Sequence, residues 1–187
     1  MSATFEPFKA RAEAVSAEVH RFGTQAEALA FIQGFLKEAG VSDAPQCGAV
    51  WAAGSFLAGA QKDDLQVKVP GLRFIITQQA AASARVGISQ MDWAIAGTGT
   101  LVQDAVAVDK RLVSTLPPIH VALLGTDRIL TDMGSVLERL RPEALDYISF
   151  ITGPSRTADI ERVLTIGVHG PERLLIVVVD DLQQVTA

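Results

Sequence analysis

Apolar positions at Phe5, Phe8, Ala12, Val15 and Val19 are spaced three and four apart, which puts them on one face of a helix. Gly23 ends that segment, and Thr24 to Glu27, reading TQAE, has the form of a capping box opening a second helix. Leu29, Ile32, Phe35, Leu36 and Ala39 form its apolar stripe, and Gly40 closes it. The pattern predicts an N-terminal helical hairpin over residues 1–44, packed on an α/β domain over 45–187, together one structural unit. A partner-binding arm would carry the same stripe, because interface and core faces look alike in sequence.

From Cys47 the periodicity shortens. CGAVWAAG is a short apolar segment, Lys62 to Asp64 reads as a solvated turn, and Leu65 to Val69 alternates as a half-buried strand does. Pro70 and Gly71 make a turn before the apolar LRFII, and QQAAASARVG is helix-prone up to Gly87. Further on, Trp93 to Ala96, Ile119 to Leu124, Tyr147 to Ile151 and Leu174 to Val179 are apolar without alternation, as in strands covered on both faces. Helical segments are predicted between the later ones. One lies near Met133 to Leu140 with Val136, Leu137 and Leu140 on one side; the other lies near Thr157 to Leu164 with Ile160, Val163 and Leu164 inward. The alternation of strand and helix implies right-handed parallel crossovers, hence an α/β fold with a mostly parallel sheet and helices on both faces.

Three of the strand ends share a form: AIAGTG, ALLGTD and FITGPS each leave an apolar run through glycine into hydroxyl and turn residues. Ligands of open parallel sheets bind beyond the carboxyl ends of the strands, where glycine admits close approach. Gly97, Thr98, Gly99 and Thr100, with Gly125 and Thr126 and with Gly153, Ser155, Arg156 and Thr157, are therefore candidates to line one ligand-binding cleft. The same residues also make ordinary turns and caps. Arg156, near the start of a predicted helix, is misplaced relative to the helix dipole by about 0.3–1 kcal/mol. An anion would offset this, either a small ligand or a carboxylate such as Asp159. His169, between glycines in GVHGP, is the candidate for a ligand contact or an acid–base group. His120 reads as a hydrogen-bonded core or rim residue, and His20 as a favourable charge near a helix C-terminus.

Composition narrows the classes. The chain has 187 residues, a net charge of -5 and no basic block, which argues against nucleic acid as a partner. Mean hydropathy is +0.28, yet the longest clean apolar stretch, Leu174 to Val179, is far short of the roughly 20 residues a spanning helix needs. No secretory signal pattern shows at the first residues, so a cytoplasmic protein is expected. Cys47 is the sole cysteine, which excludes an internal disulfide and a cysteine-built cluster; a small buried hydrophobe is its expected role. No metal-ligand spacing, P-loop or G-x-S-x-G elbow is present, and no bound metal is expected.

The segments GISQMDWAIAGTGTLV, LPPIHVALLGTDRIL and ITGPSRTADIERVLTIGVHGPERLLIVVVDD resemble the LUD domain of the lactate utilization protein C family, over roughly Val86 to Asp181. The resemblance implies a fold similar to the NagB/RpiA/CoA-transferase-like group. It also implies an accessory part in a cytoplasmic system oxidising L-lactate to pyruvate, with no cofactor in this chain and iron–sulfur clusters in partner subunits. Where such domains often read AETGT or ADTGT, this chain reads AGTGT, so Gly97 stands in place of an acid. CoA transferases of this fold use a glutamate nucleophile, and no matching glutamate is found here. An enzyme acting alone on a phosphorylated sugar or acyl-CoA remains the alternative by fold analogy.

Overall fold

Six strands lie side by side in one wholly parallel sheet: β1 (Glu18–Phe22), β2 (Gly48–Trp51), β3 (Leu72–Arg73), β4 (Ala84–Gln90), β7 (Ile119–Gly125) and β12 (Arg173–Val179). Their spatial order is β1-β12-β7-β4-β2-β3. The computed structural model describes residues 3–57, 59–140, 147–158, 164–166 and 169–182. The central strands are apolar on both faces because both faces are covered. Val121, Leu123, Leu175, Val177 and Val179 join one core, and Ala122, Leu124, Leu174, Ile176 and Val178 join the other. Each of these valines, leucines and isoleucines contributes about 1.5–3 kcal/mol by leaving water.

Helices α2 (Gln25–Glu38) and α3 (Gly59–Lys68) cover the first face. Thr24 and Glu27 form the capping box expected from TQAE, and Ala28, Ile32 and Leu36 bury at helical spacing. The second face carries α1 (Phe5–Ala14), α4 (Gln78–Ala82), α5 (Val108–Thr115) and a smaller sheet. That sheet runs β8-β5-β6-β9, from β5 (Trp93–Ile95), β6 (Thr100–Asp104), β8 (Ile129–Leu130) and β9 (Ile148–Ile151). The short helix α6 (Met133–Leu137) buries Val136 against its outer side.

Several elements depart from the sequence pattern. The N-terminal helices are not a hairpin, because β1 runs between them and joins the main sheet beside β12. Phe5, Phe8, Ala12 and Val19 do bury in one cluster, but Ser16 at φ 71 turns the chain, so Val19 arrives from a strand. His20 accordingly lies in β1, with its ring 4.6 Å from that of Phe31, and not at a helix end. The predicted turn at Lys62 to Asp64 and strand at Leu65 to Val69 are both part of α3 or its end. Leu65 and Val69, four apart, are buried, whereas Val67 between them is 82% exposed. Of QQAAASARVG, only Gln78–Ala82 is helical, and β4 begins at Ala84.

The run Trp93 to Ala96 and the run Tyr147 to Ile151 do supply strands, but to the small sheet, where β6 pairs antiparallel with both β5 and β9. The helix expected near Thr157 to Leu164 is replaced at its two ends by strands. β10 (Arg156–Ala158) and β11 (Leu164–Ile166) pair antiparallel as a separate two-stranded unit. Ile160 and Val163 lie outside the described residues. The dipole argument for Arg156 falls with that helix.

Candidate functional site

The carboxyl edge of the main sheet gathers polar groups from four strands. Arg21, near the end of β1, donates to both carboxylate oxygens of Asp180, just beyond β12, at 3.0 and 3.1 Å. Its guanidinium also lies 4.7 Å over the Phe5 ring. Thr126, just beyond β7, donates its hydroxyl to the same carboxylate. Burial works against charge on Asp180, but the bonds from Arg21 and Thr126 outweigh it and hold the carboxyl below its ordinary range. The neighbouring Asp181 accepts from the backbone N–H of Gln25 at 2.7 Å, which places a carboxylate on the first turn of α2.

Beside this cluster, β2 leads into a helix on one face of the sheet and the chain after β4 crosses to the other. In doubly wound sheets such a reversal marks the place where ligands sit. Gln90 stands at the end of β4. Gln90 Oε1 accepts from Phe56 N at 3.1 Å, and Gln90 Nε2 donates to Ser55 Oγ at 3.0 Å. Gln25 in turn donates its side-chain amide to the Phe56 carbonyl. Between α2 and α3 runs a groove of about 450 Å³, lined by Gln25, Leu29, Gln33, Gln61 and Asp181 among others. The exit VWAAGSF after β2 was missed in the sequence, although it shows the same signal, an apolar run leaving through glycine into a hydroxyl.

The exits singled out in the sequence do not form one cleft. Gly125 and Thr126 belong to the carboxyl edge. Thr98, Thr100 and Thr152 come together through hydroxyl contacts of 2.7 and 2.8 Å, which tie the β5–β6 turn to the end of β9. Gly97 N–H donates to the Thr131 carbonyl. Gly99 has φ +69, and a side chain there would meet the backbone of Arg11 and Ala12 at under 3 Å; its glycine lets α1 lie on the turn. At Gly153 a side chain would meet the Val15 carbonyl. These two corners therefore face the C-terminal part of α1, which leads to the amino end of β1.

Arg156 lies on that side too. It is exposed, and its Nη2 donates to Ser16 Oγ at 2.7 Å. Ser155 N–H donates to the Pro171 carbonyl, and Glu172 N–H to the Pro118 carbonyl, so the segment holding His169 abuts the amino ends of β12 and β7. His169 is exposed. Thr157 begins no helix and lies within β10. Seven strand residues at about 3.3 Å each separate the two edges by roughly 20 Å. Asp159 lies outside the described residues.

Other polar groups are structural. His120, on β7, is completely buried, and desolvation pushes its pKa down to about 4. Its Nε2 is 2.8 Å from Ser89 Oγ, and its Nδ1 has no partner among the described residues. Neither residue is open to a substrate, so this serine–histidine pair is no exposed nucleophile and base. Asp92 is also drawn inside; burial raises its pKa, against the opposing pull of Lys110 and the Asp104 N–H. Cys47 is half-buried, with Arg85 Nη2 3.6 Å from its sulfur. No group of three or more His, Cys, Asp or Glu among the described residues could hold a metal ion, and no helix there is long and apolar enough to cross a membrane.

This arrangement defines an α/β protein with a parallel sheet and a hydrogen-bonded polar cluster at its carboxyl edge, and a solved structure shares the fold. The crystal structure of a DUF162 family protein from Deinococcus radiodurans superposes with a TM-score of 0.67 at 19% identity, covering 94% of this chain and 96% of that one. A family model described as LUD domain matches residues 5–179, and the chain belongs to the LUD domain family. It is 36% identical over 112 residues to lactate utilization protein C of Exiguobacterium sp. strain AT1b, covering 57% of this chain and 49% of that protein. To lactate utilization protein C of Halalkalibacterium halodurans it is 36% identical over 109 residues, covering 55% and 47%. To that of Macrococcus caseolyticus it is 37% identical over 109 residues, with the same shares. The matched stretch spans about half the length of these relatives.

Proposed function

We propose that this chain works in lactate utilization, as a cytoplasmic accessory subunit of a system oxidising L-lactate to pyruvate. The observation that carries the reading is similarity to several proteins named lactate utilization protein C, within a family match running from residue 5 to 179. The chemistry of the side chains supports an accessory part. One cysteine supplies too few thiolates for an iron–sulfur cluster, so in this reading the clusters belong to partner subunits. The serine–histidine pair is sealed in the core, which supports binding or assembly over covalent catalysis by that pair. The small-anion site is not carried forward in its original form, because its residues divide between two edges. Arg21 is paired with Asp180, Arg128 beyond the Gly125 exit lies over Trp93, and Arg156 bonds Ser16.

The test is genetic and biochemical together. A strain lacking this gene should fail to grow on L-lactate as sole carbon source, and the gene supplied in trans should restore growth. Affinity capture of the tagged chain should bring down proteins carrying iron and acid-labile sulfide. Normal growth of the deletion strain on L-lactate, with capture of this chain alone, sinks the reading.

A further inference from the structure

The outer face of the small sheet carries positive charge that the rest of the chain leaves loosely paired. On β5, Ala94 turns inward to the main sheet, so its neighbours Trp93 and Ile95 point outward. Two arginines from separate segments stack on the Trp93 ring. The guanidinium of Arg128, just before β8, lies 4.6 Å from the ring centre, and that of Arg139, just beyond α6, lies 5.1 Å from it. Two like charges on one indole repel each other, and little in the chain offsets this. Asp127 comes no closer to Arg128 Nε than 3.4 Å and is itself exposed; that nitrogen, although buried, makes no hydrogen bond among the described residues. Asp92 also acts on Arg128, but its carboxylate is shared with Lys110 and the Asp104 N–H. Arg139 is exposed, and neither its side chain nor that of Glu138 beside it makes an ion pair or hydrogen bond among the described residues.

The surroundings are apolar as well as basic. Of its own residues α6 buries only Val136, which leaves Met133 and Leu137, one turn apart, 41% and 54% exposed. Tryptophan, arginine and methionine are the side chains enriched where proteins meet. A guanidinium stacked on an indole is held by its plane and keeps its in-plane N–H donors free for carboxylate oxygens. The chain as a whole carries a net charge of -5, so an acidic partner is repelled by most of the molecule and drawn to this surface. A free small anion would use the arginines and leave Met133 and Leu137 in water, whereas a protein segment covers both. Nucleic acid is disfavoured by the same net charge.

We propose that Trp93, Arg128, Met133, Leu137 and Arg139 form a docking surface for an acidic segment of a partner protein, an apolar side chain of that segment meeting Met133 and Leu137 and its carboxylates meeting the two guanidiniums. Photo-cross-linking of the full chain in its native host tests this. The probe is p-benzoylphenylalanine in place of Leu137, with the same probe in place of Ile75, exposed beyond β3, as the control. Joined peptides are sequenced by mass spectrometry. A peptide of another protein with clustered Asp and Glu should be joined at 137 and not at 75. Arg139→Glu should cut that yield about tenfold or more, because charge-assisted hydrogen bonds are lost and repulsion replaces them. Circular dichroism checks that the variant folds; should Arg139→Glu fail to fold, Arg139→Gln decides. Joining to a second copy of this chain, to nucleic acid or to peptides without clustered acids, no product at 137, or a yield unchanged by the arginine variant, each overturns the proposal. The inference is independent of the lactate reading: growth on L-lactate and the iron content of captured proteins are separate readouts, so either can fail without the other.

Discussion

The two edges of the main sheet treat their arginines in opposite ways. At the carboxyl edge Arg21 makes a two-pronged contact with Asp180 and stacks on Phe5, so its charge is already paired within the protein. At the amino edge Arg156 makes a single bond to Ser16 and stays exposed. Both lie beside turns in the sequence, and sequence reasoning chose Arg156 as the anion receptor. The difference teaches that an arginine's availability depends on what arrives from distant segments. Arg21 meets a carboxylate 159 positions away; Arg156 meets a hydroxyl 140 positions away.

Substitutions that break this contrast are ordered by expected size. Gly99→Ala should cost most. It forces a side chain against the α1 backbone from a left-handed conformation, and a loss of about 3 kcal/mol in urea unfolding is expected. Acid should cost nearly as much through His120. Its pKa falls from 6.5 to about 4 on folding, so the unfolded chain takes up a proton that the folded chain refuses. Stability is therefore complete above about pH 6.5 and declines by about 3 kcal/mol as the pH falls to 4. The check is urea midpoints at pH 7 and pH 4.5 for the native chain and for His120→Gln, whose profile should be flatter over that window.

Asp180→Asn comes next, with about 1 kcal/mol expected because the pair is partly exposed. The loss should shrink in 1 M salt. Arg156→Ala should change stability least, by under about 0.5 kcal/mol. In complementation on L-lactate the order tests the contrast in another way. A growth defect from Arg156→Ala without a stability change would assign the amino edge a role in partner contact.

Much of the architecture was legible because burial on both faces leaves a plain mark. Leu174 to Val179 shows no polar interruption and Ile119 to Leu124 only His120, and they are neighbouring inner strands of the sheet. The capping box at Thr24 was readable because its bonds are local. Where reading failed, tertiary context had overridden spacing. Leu65, Val67 and Val69 alternate in sequence, but the core takes only the first and third, which a helix satisfies equally well. Val19 lies in register with the α1 stripe yet belongs to β1, because a positive-φ serine turns the chain before it. Site residues fared worse. Glycine and threonine at strand ends look the same whether they join a carboxylate at the sheet edge, as Gly125 and Thr126 do, or seat a helix, as Gly99 does. The glutamines carry no local signal, since Gln25 and Gln90 share Phe56, and Gln25 and Gln61 share a groove, only through folding.

Hydrogen-exchange mass spectrometry of the native chain, Asp180→Asn and Arg156→Ala tests the contrast between the two edges most directly. The account predicts faster exchange in peptides covering residues 18–28 for Asp180→Asn, where the Arg21 contact is lost, and no change for Arg156→Ala. Faster exchange across residues 152–173 in Arg156→Ala, with 18–28 unchanged in Asp180→Asn, would contradict it.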